Sequence, residues 1–105
     1  MREIVYYCTP WGKKPFSEWF LTLDDSVKAK VDAYIVRLAL GQTSNVKSVG
    51  AGVLELKIHS GPGYRIYFSY WRNQVILLLL GGTKSGQERD IRKAIENWRD
   101  FCEKK

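Results

Sequence analysis

VLELKIHSGPGYRIYFSYWRNQVILLLL, residues 53–80, is the stretch that decides the fold. Leu54, Leu56 and Ile58 alternate with Glu55, Lys57 and His59, the period-2 pattern of a half-buried strand. Ser60-Gly61-Pro62-Gly63 interrupts it. The alternation then resumes, with Tyr64, Ile66, Phe68 and Tyr70 on one face and Arg65, Tyr67, Ser69 and Trp71 on the other. Arg72-Asn73-Gln74 turns the chain into Val75–Leu80, which is apolar at every position. A strand apolar on both faces is expected at the centre of a sheet, covered on both sides. Three strands with short connections predict an antiparallel meander.

Working outward, Ile4 to Cys8 is a short β-prone run closed by Thr9-Pro10-Trp11-Gly12. Pro15 suits a first helical turn, and Phe16, Trp19, Phe20 and Leu23 share one helical face. Asp24 is placed as the N-cap of a second helix striped by Val27, Val31, Tyr34, Ile35 and Leu38, with Gly41 as its stop. The two helices predict a helical hairpin. Residues 41–52 are small and polar and read as a loop. Beyond the meander, Gly81-Gly82 reads as the end of the sheet, and Ser85 with Glu88 as a capping box. A last helix buries Ile91, Ala94, Ile95, Trp98, Phe101 and Cys102. The expectation is one α+β domain over residues 1–105, in the order β-α-α-β-β-β-α, with a mostly antiparallel sheet. Its core should hold Leu54, Leu56, Ile58, Ile66, Phe68, Val75 to Leu80, Ile35, Leu38, Ile95 and Trp98.

A hydrophobic fraction of 45% supports a packed core, and no apolar run is long enough to span a bilayer. The N-terminus enters a strand pattern without a signal-like apolar region, so a soluble, cytoplasmic protein with no membrane partner is expected. Cys8 and Cys102 belong to no CxxC pair, and with His59 the only histidine they make no zinc-ligand set. They are expected as small core residues. The net charge is +6, and it is unevenly spread. Residues 53–87 carry Lys57, Arg65, Arg72 and Lys84 against the single acid Glu55, the footprint expected of a phosphate-bearing partner.

Normal hairpin register would bring Arg65 beside Lys57 on the neighbouring strand, and Lys84 follows just past the third strand. Lys57, Arg65, Lys84 and His59 are therefore the catalytic candidates. His59 is the one side chain whose residue type suits proton donation near neutrality, although a solvated histidine at a loop edge is the plainer reading of its place. Tyr67, Arg72 and Gln87 are candidate RNA contacts, and Trp71 is a further stacking surface, since cations interleaved with aromatics suit single-stranded nucleic acid. Alternatively, Tyr67 and Trp71 lie beneath the last helix. Gly81 to Gln87 leads into a helix start, which favours anions, but lacks the order of a Walker A loop.

The segments Glu55-Leu56-Lys57-Ile58, Gly61-Pro62-Gly63-Tyr64-Arg65-Ile66-Tyr67-Phe68 and Leu78-Leu79-Leu80-Gly81-Gly82-Thr83-Lys84, continuing through Gln87, Asp90, Ile91 and Ala94, carry a resemblance. The chain resembles the addiction module killer proteins, a HigB-like group of the RelE/ParE toxin superfamily. The resemblance implies the toxin of a type II toxin–antitoxin module: a ribosome-dependent mRNA endonuclease needing no metal or cofactor. It also implies a cognate antitoxin, usually a helix-turn-helix DNA-binding protein, through which alone operator DNA is contacted. Lys57 and Arg65 match the superfamily's basic active-site positions, with Lys84 a third. Many members carry a Tyr or His near the C-terminus, whereas this chain ends Trp98-Arg99-Asp100-Phe101-Cys102-Glu103-Lys104-Lys105. Either His59 or Tyr67 stands in, or the ribonuclease activity is weak or absent. The alternatives are a ParE-like gyrase poison without nuclease activity, and a non-catalytic RNA- or protein-binding domain.

Overall fold

The computed structural model describes residues 1–105. The elements are β1 (Glu3–Tyr6), α1 (Pro15–Leu21), α2 (Asp25–Ala39), β2 (Val46–Gly50), β3 (Val53–Ile58), β4 (Tyr64–Trp71), β5 (Val75–Thr83) and α3 (Gln87–Glu103), with a 3-10 turn over Lys84–Gly86 between β5 and α3. They form an α+β domain around one five-stranded sheet in the order β1-β5-β4-β3-β2. β5 lies inside the sheet, parallel to β1 and antiparallel to β4, where its unbroken apolar run requires it to be. The meander β3-β4-β5 pairs as its periodicity predicts, with Leu54 opposite Phe68 and Ile66 opposite Gly81.

The loop expected over 41–52 contains a strand. β2 pairs antiparallel with β3 through Val46, Lys47 and Ser48, and an irregularity between Ser48 and Gly50 ends the clean register. Its composition hides it: as an edge strand it has one neighbour, and only Val46 and Val49 turn to the protein.

The two faces of the sheet bury different chemistry. α1 and α2 cover one face, where Phe16, Val31, Ile35 and Leu38 meet Leu56, Ile58, Ile66, Phe68, Ile76 and Leu78. α3 covers the other, where Ala94 packs with Tyr7, Val53, Tyr67, Leu77 and Leu79. Ile91, Ile95, Trp98 and Phe101 flank this second core half-buried, and Asn97 replaces Cys102 on the inner stripe, donating to the Leu79 carbonyl at 3.0 Å. Both cysteines are free and exposed, so neither is a core residue. Val75, Leu80, Leu54, Ile95 and Trp98 are also less buried than expected.

Gly81 and Gly82 continue β5 rather than ending it. Each omits a side chain where a helical layer presses on the strand. A Cβ on Gly81 would fall 2.1 Å from the Trp19 ring, and one on Gly82 would fall 2.0 Å from Asp90 Oδ2. The capping box also fails: Ser85 sits in the 3-10 turn, Gly86 is the N-cap, and no side chain caps α3. Asp24 does occupy the N-cap of α2, without a side-chain hydrogen bond. No helix is long and apolar enough to cross a membrane.

Candidate functional site

Strand register builds the site. Lys57 on β3 stands opposite Arg65 on β4, and Arg65 stands opposite Gly82 on β5, so the two cations and a residue without a side chain form one row across three strands. The Ser60–Gly63 loop folds over the end of this row. It is held to the far strand by the Lys84 N–H, which donates to the Gly63 carbonyl at 2.9 Å. Gly63 has φ +77, a left-handed conformation that a side chain would strain. The resulting open cleft, of about 530 Å3, is lined by Lys57, His59, Arg65 and Lys84 together with the loop. All four catalytic candidates thus share one cleft. Lys57 is half-buried, His59 and Lys84 are exposed on the rim, and Arg65 is 5% exposed at the floor, its Nη1 donating to the Gly63 carbonyl at 3.4 Å.

Charge continues past the cleft on both sides. Lys57 and His59 also line a smaller depression with Lys47 and Asn45, and Lys84 lines another with Gln87, Arg89 and Arg92 at the start of α3. Cations so arranged extend one positive surface beyond the cleft.

Beneath Arg65 lies a buried polar layer. Glu55 is fully buried, with Oε2 3.6 Å from Arg65 Nε and Oε1 4.0 Å from Lys47 Nζ. Gln87, expected as an RNA contact, instead donates from Nε2 to Glu55 Oε2 at 2.8 Å. Tyr67 stands directly opposite Glu55 and is 0% exposed, so its ring has no face to offer a base, and the expectation of a stacking platform is corrected. Burial first, then the Glu55 charge, pushes the Tyr67 hydroxyl well above the ordinary tyrosine range and keeps it protonated, which removes it as a general base. Asp90 on α3 is raised as well, by burial, against the opposing pull of Arg89.

Arg72 is not part of this assembly. It occupies the β4–β5 turn at the other end of β4, and its guanidinium stacks over Trp71 at 4.3 Å. Trp71 meets Phe101 of α3 edge-on at 5.6 Å, which spends it on packing rather than on a base. The sequence pattern offered no sign of the roles of Gln87, Asn97 and Asp90, because each is set by how α3 docks. No group of three His, Cys, Asp or Glu side chains is placed to hold a metal.

The profile of the family described as "Phage derived protein Gp49-like (DUF891)" matches residues 18–99. A protein of Haemophilus influenzae described as "Uncharacterized protein" is 41% identical over 80 residues, spanning 75% of this chain and 81% of its own length.

Proposed function

We propose that this chain, which belongs to the phage-derived Gp49-like family, is a toxin that cuts mRNA on the ribosome without a metal. The family is RelE/ParE-like and associated with the toxins of toxin–antitoxin modules. The single observation that carries the reading is the convergence of Lys57, His59, Arg65 and Lys84 on one open cleft.

The reaction such a cleft suits is internal transesterification. The 2′-oxygen of a nucleotide forms a bond to the adjacent phosphorus, the bond from phosphorus to the 5′-oxygen of the next nucleotide breaks, and a cyclic phosphate remains. Solvent water in the open cleft takes the proton leaving the 2′-hydroxyl, and a separate proton is delivered to the departing 5′-oxygen. Arg65 holds the non-bridging oxygens, because a guanidinium stays charged and grips two oxygens through a planar fork. Lys57 and Lys84 add charge as the phosphorane gains it. His59, an exposed imidazole on the rim, donates the proton to the leaving oxygen. His59, on the loop just past β3, then does the work that a Tyr or His near the C-terminus does in many superfamily members.

The partner that silences this surface is an antitoxin with an acidic segment that covers it, carried on a helix-turn-helix DNA-binding protein. The excess of cations over residues 53–87 makes such association fast at low salt and slower as ionic strength rises. An on-rate indifferent to salt would count against it. The direct test is Arg65→Ala and Lys57→Ala, each checked for a normal melt and antitoxin binding, then for growth arrest and transcript cleavage on ribosomes. Each should lose about a hundredfold in cleavage rate. Two folded variants that stay fully toxic would dismiss the site, and arrest that begins with DNA synthesis would move the target to gyrase.

A further inference from the structure

Arg65 sits in a cluster that leaves its buried hydrogen bonding incomplete. Three buried side-chain polar atoms, Glu55 Oε1, Arg65 Nε and Tyr67 Oη, lack a close hydrogen-bond partner, and all belong to this one cluster, in which the Tyr67 hydroxyl faces the Glu55 carboxylate. Native proteins satisfy nearly all such groups, and a concentration of exceptions marks a place where something besides stability is being served. A carboxylate with no exposure is costly unless a cation faces it, and once the cation is removed the remaining charge is more costly still. Glu55 therefore constrains Arg65 strongly, yet the approach of 3.6 Å stops short of a hydrogen bond.

We infer that Glu55 and Gln87 are positioning residues that hold the Nε edge of Arg65 toward the protein interior, so that its remaining guanidinium edge faces the cleft for phosphate. Gln87 ties Glu55 Oε2 to the first residue of α3 by its 2.8 Å hydrogen bond, which fixes the oxygen that Arg65 Nε approaches. Tyr67, opposite Glu55 across the strand pair, is itself fully buried and adds to the burial of the charge pair. A guanidinium held this way loses little freedom on engaging phosphate, which is the benefit of prearranged geometry.

This inference rests on the reading of the cleft as an RNA-cleaving site, and its test separates the two. Glu55→Gln keeps shape and removes the charge. On programmed ribosomes kcat should fall by about tenfold or more while KM moves little, because the loss is confined to the transition state. In an Arg65→Ala background the same substitution should add nothing further. Independent loss in that background, or an unchanged kcat in Glu55→Gln, overturns the inference. Gln87→Ala, on a half-buried helix-start residue that folding tolerates better, should lower kcat in the same sense and to a smaller degree; a Gln87→Ala variant with full kcat overturns the part given to Gln87. A readout free of RNA is the nitrogen–proton NMR signal of Arg65 Nε. It should be sharp and protected from exchange in the parent and averaged with the other arginines in Glu55→Gln. If the intact protein cleaves no RNA, the proposed function fails, and this signal still decides whether Glu55 orders Arg65: a signal unchanged by Glu55→Gln refutes it.

Discussion

The two faces of one sheet are built from alternate residues of the same strands, yet they differ in kind. Beneath α1 and α2 the core cluster of 11 buried residues is wholly apolar. Beneath α3 the apolar cluster is six, and on this side lie all four buried polar or charged residues: Glu55, Arg65, Ser69 and Asn97. The contrast separates two tasks. The apolar face supplies stability through burial, which does not depend on direction, whereas the α3 face spends burial on groups whose value lies in where they point. A site built on a rigid sheet needs both, because the first face holds still what the second aims.

The sharpest way to break that division is to damage each face and measure both properties. Phe68→Ala, in the apolar core, should cost about 4 kcal/mol of unfolding free energy in denaturant melts while leaving the cleavage rate of the folded fraction near that of the parent. Arg65→Lys should do the reverse, losing about a hundredfold in cleavage with a much smaller change in melting, since an ammonium keeps the charge facing Glu55 but not the fork. Equal loss of both properties in either variant would end the distinction. The glycine pair tests it more finely. Gly81→Ala drives a methyl into the packed Trp19 ring and should cost about 2 kcal/mol, whereas Gly82→Ala meets the end of the Asp90 side chain, which can swing aside, and should cost less. Identical melts for the two would show that both faces are equally unyielding.

The smallest effect is one of pH. Burial raises the pKa of Asp90, so the folded protein binds its proton more tightly than the unfolded chain does. That contribution is fully present below the unfolded carboxylate pKa and is lost as pH rises through the folded value. Asp90→Asn should therefore melt slightly above the parent at pH 7, with the gap narrowing below about pH 4. A gap that is constant with pH would mean that Asp90 carries no burial cost on this face.

The fold was legible wherever a period was. The alternation through β3 and β4 and the continuous run of β5 placed three strands, their order and their two-sided cover. β2 was not legible, because an edge strand with two inward residues that ends in Gly50-Ala51-Gly52 carries the composition of a loop. Cys8 and Cys102 were misread for a related reason: residue type states a preference for burial, while position on a helix face or strand end decides it. At the site, alternation and hairpin register were enough to bring Lys57, Arg65, His59 and Lys84 together. What they could not supply was the depth of each residue. Tyr67 and Trp71 are turned to packing, and Gln87 to Glu55, by the docking of a helix whose contacts leave no mark in local sequence.

The position of α3 in the order of elements has a consequence for truncation. Every strand of the sheet precedes Gln87, so a chain cut short before α3 lacks the helix that packs over Val53, Tyr67, Leu77 and Leu79. Only when α3 arrives does Gln87 reach Glu55, Asn97 reach the Leu79 carbonyl, and Asp100 receive the Tyr7 hydroxyl from the segment that follows β1. The last of these bonds joins segments 93 residues apart. Without α3 the sheet loses all three of these bonds, so the order of Glu55 and of the layer around it depends on residues 87–103.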